Sequence, residues 1–89
     1  MILLKSRNYI KDTGLLSEKE RGLLLKQEIL LIRNMFNSKL HTKKIKGFGT
    51  DKVFSFRITR VYRGIFRLSG QNIILFAIGH RKDIYQSLD

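Results

Sequence analysis

The chain predicts an α+β fold: a small, mostly antiparallel sheet with two helices packed on one face, in the order β-α-α-β-β-β-α. Three observations predict it. Leu25, Ile29, Ile32 and Phe36 recur at i, i+4, i+7 and i+11, the spacing of one apolar helical stripe. Val53 to Leu68 alternates with period two, which is strand patterning. Ile73 to Ile78 has no polar position and follows a Ser69-Gly70 turn signal, so the strands cluster after the helices. At 89 residues the chain has room for one domain, 1–89, and one thin core.

Taken in order, Ile2, Leu3 and Leu4 read as a short first strand, buried on both faces if it is internal. Helices separate it from the later strands, so it pairs parallel to the central one. Ser6 caps a brief helix through Asp12, and Gly14 stops it. Ser17-Glu18-Lys19-Glu20 has capping-box spacing and opens a helix to about Phe36, ended by Asn37 and Ser38. Its Leu25-Ile29-Ile32-Phe36 stripe, widened by Leu24, Leu31 and Met35, is assigned to the core, and the leftover apolar edge could receive a partner helix.

Lys39 to Lys52 is polar and basic, with a turn at Gly47 and Gly49, and is expected to be mobile. Along Val53 to Thr59, Phe54, Phe56 and Ile58 share one face, while Ser55, Arg57 and Thr59 share the other. Tyr62 to Leu68 sets Tyr62, Phe66 and Leu68 against Arg63, Ile65 and Arg67, with Tyr62 read as core. Ile73 to Ile78 is expected to be central and covered on both faces. A terminal helix from His80 to Leu88 would put Arg81 and Tyr85 one turn apart. The sheet face away from the helices is left to Arg57, Arg63 and Arg67.

Charge bounds the function. Eighteen Lys and Arg against seven Asp and Glu give a formal net charge of +11. Lys39, Lys43, Lys44, Lys46, Lys52, Arg57, Arg60, Arg63 and Arg67 fall in one stretch whose single acid is Asp51. So concentrated a field attracts polyanions, and an arginine and a tyrosine near a strand end suit a phosphate and a base, so RNA is the expected partner. The chain has no cysteine, which excludes disulfides, thiolate metal sites and cysteine nucleophiles. The acids are scattered without ligand spacing, so no metal and no cofactor are expected. The N-terminal apolar run is too short for a signal peptide, and no stretch approaches the length of a membrane span, so a cytoplasmic protein is expected.

Three blocks carry a family resemblance. Leu40-His41-Thr42-Lys43-Lys44-Ile45-Lys46-Gly47, Phe54-Ser55-Phe56-Arg57-Ile58-Thr59-Arg60-Val61-Tyr62-Arg63 and Ile78-Gly79-His80-Arg81-Lys82-Asp83-Ile84-Tyr85 occur in that order. Together with the element order they resemble the RelE/ParE superfamily, toxins of type II toxin–antitoxin systems. The resemblance implies a RelE-like fold and a ribosome-dependent mRNA endonuclease that needs no metal, neutralised by a cognate antitoxin. It also implies roles: Arg63 on the scissile phosphate, Arg81 near the leaving oxygen, Tyr85 stacking on a base or assisting proton transfer. Where RelE-branch members carry a catalytic lysine pair, this chain has Phe54 and Phe56, leaving Arg57, Arg60 and Lys46 as substitutes.

Each candidate has a structural alternative. Arg63 stabilises developing charge or is a surface arginine; Arg81 does the same or is tied to Asp83 or Asp89. Tyr85 stacks on a base or covers the core edge. His80 and His41 are the side chains suited to proton transfer near neutrality, and His80, next to Arg81, is the better placed. Lys43, Lys44, Lys46 and Arg67 are expected to contact phosphate without specifying sequence. The other readings are a ParE-like inhibitor of DNA gyrase and a basic RNA-binding relic of the family.

Overall fold

A computed structural model describes residues 2–45 and 52–84. Its elements are β1 (Leu3–Lys5), α1 (Arg7–Asp12), a 3₁₀ turn (Thr13–Leu15), α2 (Glu18–Arg33), a second 3₁₀ turn (Ser38–Leu40), β2 (Lys43–Lys44), β3 (Lys52–Arg57), β4 (Tyr62–Ser69) and β5 (Asn72–His80). They form a five-stranded sheet in the order β1-β5-β4-β3-β2, antiparallel except where β1 runs parallel to β5.

Both helix starts follow the capping chemistry. Ser6 accepts from the Tyr9 amide at 3.1 Å. Ser17 and Glu20 exchange two bonds, Ser17 N to Glu20 Oε1 at 2.8 Å and Glu20 N to Ser17 Oγ at 3.2 Å. The end of α2 comes earlier than the periodicity suggests, at Arg33. Asn34 is extended and its Oδ1 accepts from the Phe36 amide at 3.0 Å, while Asn37 does the same for Lys39 at 3.0 Å. These local bonds offer the backbone an alternative to another helical turn.

The phase of α2 is the main correction. Leu25, Ile29, Ile32 and Phe36 are 58, 52, 43 and 65% exposed, and the face against the sheet is instead Leu24, Glu28 and Leu31. The buried face carries polar groups that fasten the helix. Glu28 accepts from the Tyr9 hydroxyl at 2.7 Å and pairs with Lys5 at 3.2 Å. Gln27 donates to the carbonyls of Lys39 and Arg57, at 3.0 and 2.8 Å. The hydrophobic reading therefore centres the stripe wrongly, although Leu24, Leu31 and Met35, which it places at the margin, do face the core.

The main core lies between the helices and one sheet face, where Tyr9, Leu16, Leu24 and Leu31 meet Phe54, Phe56, Phe66, Ile73 and Leu75. The alternation read along β3 and β4 is present, as is the hairpin turn, where Gly70 takes a φ of +60°. Two strands sit elsewhere than expected. β1 is an edge strand with Leu4 exposed, and β4, not β5, is central; β5 is interior, with Ile73, Leu75 and Ile78 buried on one face and its other face half-buried. The stretch expected to be mobile contains, in its described part, a 3₁₀ turn and a strand, β2.

The helix expected from His80 does not begin there. β5 runs on through His80, and residues 81–84 turn back, with the amides of Asp83 and Ile84 both donating to the His80 carbonyl at 2.8 Å. Ile84 thereby packs on the second sheet face against Val53 and Ile65, so that face is partly covered rather than open. Tyr85, Lys46, Gly47 and Gly49 lie outside the described residues.

Candidate nucleic-acid interface

Strand register brings the cations together. Arg57 on β3 is directly opposite Arg63 on β4, which is opposite Gly79 on β5. One row along, Lys43 on β2 is opposite Ser55, on the same sheet face as Arg57. Beside them the connection 58–61 supplies Thr59 and Arg60, and the turn after β5 supplies Arg81 and Lys82. The Arg81 amide donates to the Val61 carbonyl at 2.7 Å, tying that turn to the connection. The result is an open cleft of about 510 Å³ lined by His41, Lys43, Arg57, Thr59, Arg60, Arg63, Arg81 and Lys82. Among the described residues no carboxylate lines it. A neighbouring depression shares Arg57, Arg60, Arg81 and Lys82 and adds His80.

Arg63 is more than a surface cation. It is half-buried, its Nε and NH2 donate to the Ser55 hydroxyl at 3.2 and 2.9 Å, and its NH2 also donates to the His41 carbonyl at 2.7 Å. Ser55 is fully buried, so the guanidinium is held from below in one orientation. Arg57 approaches the His41 ring, NH1 to Nε2 at 3.2 Å. Arg81 is exposed, and among the described residues no carboxylate pairs with it, Asp83 included. Gly79 allows the turn to form: a Cβ there would lie 2.7 Å from Ile84 Cδ1.

The sequence candidates thus divide. Arg57, Arg60, Arg63, Arg81 and Lys43 line one cleft. Arg67 is exposed on the same face but four residues along β4, about 13 Å at 3.3 Å per residue, and does not line it. Lys44 is exposed and also outside it. His80 sits at the margin, where its Nδ1 accepts from the Lys82 amide at 3.1 Å and its ring meets Tyr62 edge-on at 6.3 Å. His41 and Thr59 enter the cleft in places the sequence patterning does not reveal. The sequence marks His41 by its imidazole and Thr59 by sharing the Arg57 face, but it does not bring the two to one cleft.

No family model matches the sequence, and no curated protein matches it significantly. Solved structures do. A chain of the RelB–RelE antitoxin–toxin complex of Methanococcus jannaschii is 28% identical, with 97% of this chain and 99% of that one covered and a TM-score of 0.67. A chain of the archaeal RelE–RelB complex of Pyrococcus horikoshii OT3 is 17% identical over 90% of this chain and 93% of that one, with a TM-score of 0.76. The chain has the RelE-like toxin fold. A chain of the Escherichia coli DinJ–YafQ toxin–antitoxin complex shares it, 16% identical, covering 93 and 94% of the two chains at a TM-score of 0.74. The family resemblance read from the three sequence blocks is borne out. Within this RelE-like fold Phe54 and Phe56 are core residues; Lys44 on β2 is opposite Phe54, and Arg57 follows Phe56 on β3.

Proposed function

We propose that the chain is the toxin of a type II toxin–antitoxin pair and cleaves mRNA on the ribosome, without a metal, at the arginine-lined cleft. The observation that carries the reading is the register of Arg57 opposite Arg63. Like charges directly opposite each other on a sheet repel, and an anion between them reverses that cost. Arg63, oriented by Ser55 and the His41 carbonyl, holds the scissile phosphate and stabilises charge as it builds there. Arg81, exposed on the turn, reaches the leaving oxygen, and Arg60, Lys43 and Lys82 grip the flanking backbone.

Neutralisation follows from the same surfaces. The exposed Leu25, Ile29 and Ile32 of α2 form an apolar face on which an amphipathic antitoxin helix docks, and an acidic segment of the antitoxin masks the cations. The convergence of arginines in one cleft favours this reading over gyrase inhibition, which needs no such set. Induction of the chain in cells with transcript mapping tests it. Cuts within translated messages are expected; intact messages accompanied by DNA damage would replace the reading with the gyrase one.

A further inference from the structure

A metal-free cleavage of RNA needs a group to take the proton of the attacking hydroxyl, and arginines serve that purpose poorly because they stay protonated. The cleft contains one imidazole, His41. His41 has a φ of +46° and a ψ of +45°, and it is the only non-glycine with positive φ among the described residues. Left-handed backbone is uncommon for such a residue and persists where the surroundings hold it. Here its carbonyl accepts from Arg63 and its ring meets Arg57, so one residue is bonded to both opposed arginines.

The ring's state follows from its neighbour. Arg57 can only donate, so the contact is a hydrogen bond in the tautomer whose Nε2 carries no proton, the form a base requires. Among the described residues, every charged group that lines the cleft with it is cationic: Lys43 from β2, Arg57 from β3, Arg63 from β4, Arg60 from the connection, and Arg81 and Lys82 from the turn.

We infer that His41 is the general base of this site. The inference rests on the RNA-cleavage reading above. When RNA enters, a phosphate takes the Arg57 guanidinium and the Nε2 lone pair is released to the ribose. Nε2 accepts the 2′-hydroxyl proton as the 2′-oxygen bonds to the adjacent phosphorus. The bond from phosphorus to the 5′-oxygen breaks, and that oxygen takes a proton from water. The hydroxide left behind recovers the proton from the imidazolium. The products are a 2′,3′-cyclic phosphate end and a 5′-hydroxyl end.

His41→Asn is the decisive variant, because asparagine tolerates left-handed backbone and keeps the carbonyl that Arg63 uses, yet cannot titrate. Single-turnover cleavage of mRNA on programmed ribosomes is followed from pH 5 to 8, with thermal melting and antitoxin binding as checks of the fold. The wild-type rate is expected to rise with pH along one ionisation. His41→Asn should be slower by roughly 10²–10⁴ and lose that rise. In His41→Gly, which also accepts positive φ, added imidazole should restore part of the rate. A folded His41→Asn with the wild-type pH profile, or a profile flattened by His80→Gln instead, would overturn the assignment. A wild type that cleaves nothing would overturn the proposed function itself, and this inference with it.

Discussion

Arg57 and Arg63 were readable as neighbours because period-two alternation places both on one face of a hairpin, and a hairpin sets them near each other. What the alternation could not show is how they are held. Ser55, the buried hydroxyl beneath Arg63, is an ordinary polar residue in the sequence, and His41 lines the cleft from a left-handed backbone that the pattern does not announce. Gly79 is the other small determinant. A Cβ there would lie 2.7 Å from Ile84 Cδ1, so Gly79→Ala makes the Ile84 side chain shift and presses on the turn that carries Arg81 and Lys82. That variant is expected to lose at least ten times more activity than an exposed-strand substitution, with a melting temperature lowered by only a few degrees, since overpacking costs about 1–3 kcal/mol. Cleavage rate and melting measured on one preparation check it; an unaltered rate would separate the turn from the cleft.

At the scale of elements, capping and turn chemistry were the most legible features, because Ser6, Ser17, Glu20 and Gly70 act through bonds within a few residues of themselves. The phase of α2 was not legible, because its buried face is specified by Glu28 finding Tyr9 and Lys5, partners on two other elements. This triad makes a pH prediction. Burial, then the Glu28 charge, then the hydrogen bond to it push the Tyr9 phenol well above its ordinary value. The folded chain thus holds that proton more tightly than the unfolded one. The contribution is full below about pH 10, and above it stability falls by about 1.4 kcal/mol per pH unit as the unfolded tyrosine ionises. Tyr9→Phe should therefore be less stable near neutrality, by about 1.5–3 kcal/mol for a bond to a charged group, and its stability should fall less steeply above pH 10. Urea unfolding from pH 8 to 11 reads both quantities. Equal slopes for the two proteins would show that Tyr9 does not keep its proton.

For the molecule as a whole, the net charge of +11 was the plainest sequence signal, and the structure adds its location: the cleft collects cations from β2, β3, β4 and the turn after β5. Affinity for ribosomes should fall steeply with salt, as phosphate contacts release counterions. Replacing Lys43 together with Arg60 and Lys82 by alanine should weaken binding and flatten the slope of log affinity against log salt by about 2–3, at roughly 0.7–0.9 per contact. Replacing Lys44 and Arg67, which lie outside the cleft, should change the slope less. The same slope for both sets would disperse the interface over the basic surface. The central claim, that these arginines cut RNA, is tested most directly by single-turnover cleavage of mRNA on programmed ribosomes. Wild type is compared with an Arg63→Ala protein shown by melting and antitoxin binding to be folded. The wild type should cut and the variant should be slower by on the order of 10²–10³, the usual effect of losing one preorganised contact to developing charge. A folded Arg63→Ala that cuts at the wild-type rate, or a wild type that leaves the message whole, would contradict the account.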